Sequence, residues 1–301
     1  MPPLTFHMRF SARLAAKPVL QPYPGWVLGS GQSASSQTRF RRALWRLFRK
    51  PLIVPWLDDL RLTLYPDNET SRSIFVTGLY EPNEFFLLSK ILKPGMTFVD
   101  VGANMGLYTL YAALKVGDRG RVLAIEPSRR EVEALKENLE INTLDNVRIW
   151  RMAVSDQPSE VELLVAAEKY SGHNTLGAFG YNTPLDHTER IDAQSLDALV
   201  LAEALPQVHF IKMDIEGSEL KALRGAALTL QRDHPVLLLE LSDRALQHQN
   251  ASSADVLALL AQYGYALYGF DVQTGLPTPL ERKGHFDSEN IIAVAGDSVP
   301  W

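Results

Sequence analysis

From Leu60 onward the hydrophobic positions switch repeatedly between the two-residue period of a strand and the 3.6-residue period of a helix. Leu60–Tyr65 alternates like a strand, and Pro66-Asp67-Asn68 reads as a turn. The apolar run Ser73–Val76 predicts a second short strand. Glu81–Leu92 predicts a helix with Phe85, Leu88 and Leu92 on its inner face, stopped by Pro94-Gly95. Strand and helix then alternate regularly: strands at Thr97–Val101, Arg121–Ile125, Val147–Val154, His209–Met213 and Val236–Leu241, separated by helices at Tyr108–Leu114, Arg129–Ile141, Ser195–Ala204, Glu219–Leu230 and, after the last of these strands, Ser253–Tyr263. Val161–Val165 reads as an added strand, residues 168–190 as a long polar loop, and Tyr265–Val272 with Asn290–Val294 as two closing strands. Such alternation predicts an α/β fold, doubly wound around a mostly parallel sheet.

Residues 1–38 lack this periodicity. They are rich in Pro, Ser, Gly and Gln and read as extended or partly disordered. The expected division is a basic N-terminal extension over residues 1–58 and a catalytic domain over 59–301.

Charge sharpens that division. The net charge is −5, yet the first acidic residue is Asp58, preceded by nine Lys or Arg. Six of these lie between Arg39 and Lys50, where Phe40, Leu44, Leu47 and Phe48 fall at helical spacing. This basic amphipathic segment has three readings: a helix packed on the acidic domain, a contact with anionic lipid or a phosphate-bearing substrate, or an Arg-rich transit peptide. With no cysteine there is no disulfide framework, Cys-zinc site or thiol nucleophile. No apolar run reaches membrane-spanning length and no apolar segment of a secretory signal follows the first residues, so the expectation is a cytoplasmic protein, with residues 39–50 as a peripheral membrane or anionic contact.

The chemistry gathers at the carboxyl ends of the strands, where doubly wound sheets bind ligands. The first strand runs into Asp100-Val101-Gly102-Ala103-Asn104-Met105-Gly106, and the second ends in Ile125-Glu126-Pro127. A dinucleotide fingerprint needs glycine at the first, third and sixth positions; from Gly102 those positions hold Gly102, Asn104 and Leu107. A ligand without pyrophosphate does not need the missing glycines, and S-adenosylmethionine is such a ligand. On that basis Asp100 serves the ligand's ammonium, and Gly102 and Gly106 clear space for it. The N–H groups near Tyr108 and Thr109 suit a carboxylate, Glu126 grips the ribose, and Asp156 accepts from the adenine amino group. Strand four ends in Lys212-Met213-Asp214-Ile215-Glu216-Gly217-Ser218-Glu219, with Glu240 late in strand five.

These segments, with Tyr80-Glu81-Pro82-Asn83-Glu84, Asn138–Asn142, Ala153-Val154-Ser155-Asp156 and Pro235–Glu240, resemble the FkbM-type family of S-adenosylmethionine-dependent methyltransferases over roughly residues 60–245. The resemblance implies the class I methyltransferase (Rossmann-like) fold, a mostly parallel seven-stranded sheet with an antiparallel last strand. It implies O-methylation of sugar or metabolite hydroxyls, and cofactor contacts from Glu84, Asp100, Gly102, Ala103, Asn104, Gly106, Tyr108, Thr109, Glu126, Pro127, Asp156 and Asp214. Tyr80 and Glu84 would close over the ligand.

Methyl transfer to an alcohol needs a base or a metal. Asp214 is the first candidate base, oriented by Glu216 or Glu240; His173 in the long loop is the second. A divalent ion bridged by Asp214, Glu216 and Glu240 would suit their oxygen ligands, but nothing in the sequence brings the three together, and no metal is assigned. Three other readings compete: an NAD-dependent oxidoreductase or epimerase, a non-catalytic S-adenosylmethionine-binding partner protein, and a nucleic-acid methylase. The missing middle glycine opposes the first, and the acidic main domain opposes the third.

Overall fold

The computed structural model describes residues 15–23, 36–179, 182–280, 284–296 and 299–301. The expectation of extended or disordered chain before residue 38 falls largely outside this range. Helix α1 (Ser36–Trp45) is followed by a hairpin of β1 (Leu52–Pro55) and β2 (Arg61–Leu64). The expected boundary at residue 58 thus falls inside a hairpin. Trp45, Leu52 and Val54 share one core with Phe75 and Phe85.

Helix α2 (Glu69–Thr77) replaces the strand expected at Ser73–Val76. Asn68 caps it, its side chain accepting from Ser71 N, and Gly78 ends it at φ 89°. The Ile-Phe-Val run that suggested a strand is the buried face of this helix. Helix α3 (Pro82–Ile91) lies within the expected span.

The α/β portion then runs β3 (Thr97–Val101), α4 (Leu107–Val116), β4 (Arg121–Ile125), α5 (Arg129–Asn142) and β5 (Val147–Trp150). Next come β6 (Ala153–Val154), β7 (Ser159–Ala166), a 3₁₀ segment at Glu168–His173, β8 (Leu185–Gln194) and α6 (Leu196–Ala202). The remainder is β9 (Phe210–Met213), α7 (Glu219–Arg224), α8 (Ala227–Asp233), β10 (Val236–Leu241), α9 (Asp243–Gln247), α10 (Ser253–Gln262), β11 (Tyr265–Phe270), β12 (Pro277–Pro279) and β13 (Glu289–Ala295).

The main sheet has the order β12-β11-β13-β10-β9-β3-β4-β5. Pairings from β10 through β9, β3, β4 and β5 are parallel, while β13 runs antiparallel between β10 and β11. Apart from the three-residue edge strand β12, this is the expected seven-stranded, mostly parallel class I methyltransferase sheet with an antiparallel last strand. Its central strands are buried on both faces, which explains their near-continuous apolar sequences. Phe98 and Phe210 stack at 5.3 Å on one side, while Val99, Ile211, Met213 and Leu239 fill the other.

Three expectations change in this region. Strand three stops at Trp150, and Ala153–Val154 joins a separate three-stranded sheet, β6-β8-β7. Most of the latter half of the expected polar loop is β8, antiparallel to β7. The helix expected over Glu219–Leu230 breaks into α7 and α8 around Gly225-Ala226. Among the described residues no helix is long and apolar enough to cross a membrane.

Candidate active site

Every parallel strand presents its carboxyl end to one cleft of about 1920 Å³. A typical small-molecule pocket is roughly 300–1,000 Å³, so this cleft has room for more than one ligand. Among the sequence-predicted residues, Glu84, Gly102, Ala103, Asn104, Tyr108, Glu126, Pro127, His173, Asp214, Glu216 and Glu240 line it.

At the end of β4, Glu126 is buried, its carboxylate accepting from Asn104 N (2.8 Å) and Ser128 N (2.9 Å). These bonds aim it while leaving lone pairs for further donors. Burial, joined by the charge of Glu131, pushes its carboxyl up to about 8. Pro127, Met152, Ala153 and Val154 form an apolar slot beside it. The first N–H groups of α4 have no intrahelical partner and carry the positive end of the helix dipole. Asn104, at φ 49°, holds the approach to this helix in a left-handed conformation.

Four predicted residues do not line the cleft. Asp100 is fully buried behind it: Oδ2 accepts from Thr109 Oγ1 at 2.6 Å, and Oδ1 lies 3.9 Å from Lys212 Nζ. Thr109 is occupied by that bond. Asp156 is exposed, because the chain leaves the main sheet after Trp150; the expected adenine contact does not follow from its position. Gly106 sits at φ 95°, which favours glycine, and an added Cβ would also push on the tip of Leu135, Cδ1 at 2.3 Å. Gly102 does line the cleft, yet its added Cβ would meet the Asp214 carbonyl at 2.0 Å. Backbone conformation thus accounts for glycine at 106, and positive φ with close approach of the Asp214 backbone for glycine at 102.

The sequence reading missed the role of Lys212. Its ammonium donates to Gly102 O (3.1 Å) and Asp214 Oδ2 (3.4 Å) and lies 5.1 Å from the Tyr108 ring centroid. Asp100 and Lys212 are paired neighbours on β3 and β9. Burial opposes the charge on Lys212, but the carboxylates of Asp214, Asp100 and Glu81 outweigh it and raise its pKa. A lone charge inside an apolar strand was the available signal.

Glu81 was also missed. It sits at φ 47° before α3, accepting from Tyr108 Oη (2.7 Å) and Asn290 Nδ2 (3.1 Å). Asn290 also donates to Glu84 Oε1 (3.0 Å), while Glu84 Oε2 is buried without a partner among the described residues. Burial and the Glu81 charge raise Glu84 to about 8.

Beside Lys212, Asp214 follows β9 with its side chain 30% exposed. Glu216 follows at φ 50°. Burial, then the charge of Asp214, raises the pKa of both Glu216 and Glu240 well above the usual range. Ser288 Oγ donates to Glu240. His173 Nδ1 is 3.8 Å from Glu216 Oε1, and burial lowers its pKa. Non-glycine residues at positive φ cluster here at Glu81, Asn104 and Glu216; such strain persists where surrounding structure over-determines it. Among the described residues no group of three His, Asp or Glu is arranged to hold a metal ion.

A family model described as "Methyltransferase FkbM domain" matches residues 100–267. The chain belongs to the FkbM methyltransferase family. Its donor is S-adenosylmethionine. The chain is 33% identical over 138 residues to a ribosomal protein L11 methyltransferase from Acetivibrio thermocellus, covering 41% of this chain and 42% of that protein. It is 27% identical over 171 residues to Methyltransferase 1 from Beauveria bassiana, covering 51% and 65%. The matches thus span less than two thirds of either relative. A solved FkbM methyltransferase from Methylobacillus flagellatus KT aligns with TM-score 0.43 and 18% identity, covering 75% of this chain and 54% of that one.

The residues present fit the donor of this FkbM methyltransferase. Glu84 Oε2 is an orphaned buried acceptor suited to an ammonium, and Glu126 offers an aimed carboxylate for vicinal hydroxyls. The apolar slot at Pro127 and Met152–Val154 suits a purine. Asn104 occupies the position where a pyrophosphate would need bare backbone.

Proposed function

We propose that the protein transfers a methyl group from S-adenosylmethionine to a hydroxyl oxygen of a sugar, glycan or small metabolite, with Asp214 as the base. The supporting observation is the setting of Asp214: one oxygen accepts from Lys212, and the side chain is open to the cleft that Glu126 and Glu84 also line. When bound, the donor supplies an electrophilic methyl on a sulfonium.

The chain must align an acceptor oxygen with that methyl and take one proton. Alignment contributes part of the roughly 7–11 kcal/mol available to well-oriented reactants. Asp214 accepts the hydroxyl proton. Lys212 fixes its orientation and counters charge from Asp100 and Glu81. Glu216 and Glu240, whose carboxyl pKa values burial and the Asp214 charge raise, lie near it and position Asp214 or the acceptor. His173, kept neutral by burial, is the second base candidate.

Single-turnover assays with labelled donor and a panel of hydroxyl acceptors test this reading. Asp214→Asn is expected to reduce turnover by about 10²–10⁴-fold, with S-adenosylhomocysteine affinity largely retained. Failure of the variant to bind cofactor, with turnover preserved at saturation, would remove Asp214 from the role of base.

A further inference from the structure

The cleft is not lined by acids alone. Its lining also includes Arg42, Arg46 and Arg49, with Arg72 from α2 and Lys169 from the 3₁₀ segment, against the carboxylates of Asp67 and Glu69. Among the described residues Arg42, Arg46 and Arg49 form no ion pair with a carboxylate. Arg72 and Lys169 share a single partner, Glu69, at 3.6 and 3.7 Å. Arginine and lysine thus outnumber carboxylates in this part of the lining, with Arg49 Nη1 donating to Arg46 O and Phe48 O and Arg42 and Arg46 unpaired by any carboxylate among the described residues.

The orientation of the basic segment follows from its packing. Trp45 is buried against Phe75, with ring centroids 5.4 Å apart, and Phe48 meets the same ring at 5.2 Å. This anchor turns Arg42, Arg46 and Arg49 to the cleft. Phe40 and Leu47, two of the four apolar residues at helical spacing, are 58% and 71% exposed and do not line the cleft. A helix lying on a bilayer would direct its apolar residues and flanking cations to the same surface. Here Arg42, Arg46 and Arg49 line the same cleft as Glu84, Glu126 and Asp214.

We propose that the methyl acceptor carries a phosphate, held by Arg42, Arg46 and Arg49 while its hydroxyl reaches Asp214. The inference rests on the methyltransferase reading above and narrows its substrate class. Phosphate suits the site better than a carboxylate does: one bidentate arginine satisfies a carboxylate, whereas a phosphate offers more oxygens and more charge to several guanidinium groups. The same chemistry could come from a soluble phosphate ester or from a lipid-linked headgroup.

Calorimetric titration of the full chain with inorganic pyrophosphate tests the proposal, beside flotation with phosphatidylcholine vesicles made with and without phosphatidylglycerol. Each probe is applied to the wild type and to an Arg42→Ala/Arg46→Ala/Arg49→Ala variant. Saturable pyrophosphate binding that weakens at least tenfold in the variant supports a soluble phosphate-bearing acceptor. Arginine-dependent binding to the anionic vesicles that pyrophosphate displaces supports a lipid-linked one. Equal binding by wild type and variant, or binding of neither probe, overturns the proposal. S-adenosylhomocysteine is titrated in parallel and is expected to bind both proteins equally; loss from both would instead overturn the methyltransferase reading.

Discussion

Lys212 has the clearest individual consequence. It is buried beside Asp100 and Asp214, with its side chain 8% exposed. Truncating one partner of a buried ion pair leaves an uncompensated charge, at a cost of about 3–5 kcal/mol. Lys212→Met is therefore expected to lower the urea midpoint clearly, through Asp100 more than Asp214, because Asp100 has no exposure to water. Glu126 should act on binding rather than stability. Glu126→Gln keeps the shape and removes the charge, and is expected to weaken S-adenosylhomocysteine about tenfold, read as a change in Kd. The positions of Glu126 and Asp214 were legible because an acid ending an apolar strand is a strong local signal. Glu81 was not, because its value depends on Tyr108 and Asn290, the latter 209 positions away.

Among the elements, agreement follows burial. Strands β3, β4 and β10 match their expected spans because each is an apolar run bounded by turn residues. β8 reads Leu-Asp-His-Thr-Glu-Arg-Ile-Asp-Ala-Gln, with most positions exposed, so its strand character comes from pairing with β7 and leaves little hydrophobic trace. Helix α2 was misread for the opposite reason: its buried face contains consecutive apolar residues. Its cap also reaches the active site. Asn68 accepts from Ser71 N at 2.8 Å and donates to Ser171 Oγ at 2.8 Å, tying α2 to the segment that carries His173. Asn68→Ala is expected to cost about 1 kcal/mol through the lost cap, seen as a lower Tm. Hydrogen exchange should also become faster at residues 168–175, which an isolated cap defect would not affect.

For the molecule as a whole, one cleft is lined both by buried acids and by cations of the N-terminal segment. Glu84 and Glu126 are raised by burial from 4.5 to about 8. The folded protein therefore binds more protons than the unfolded chain between those values, so stability falls as pH rises from about 4.5 to about 8. A donor carrying an ammonium and ribose hydroxyls favours the carboxylate forms. S-adenosylhomocysteine affinity is accordingly expected to rise with pH toward about 8 and then level, with protons released on binding. Calorimetry in buffers of different ionisation enthalpy reads that release directly.

The sequence by itself determined the fold class, the order of the central strands' acids and the class of donor. Local rules suffice there: apolar runs with few polar interruptions make buried strands, and parallel strands must bring their carboxyl ends to one edge. Tertiary structure alone decided that Lys212 bridges Asp100 and Asp214, that Asp156 leaves the cleft, and that the N-terminal arginines enter it. Those outcomes depend on contacts between residues far apart in the chain, where hydrophobic period carries no information about which neighbour a charge will meet.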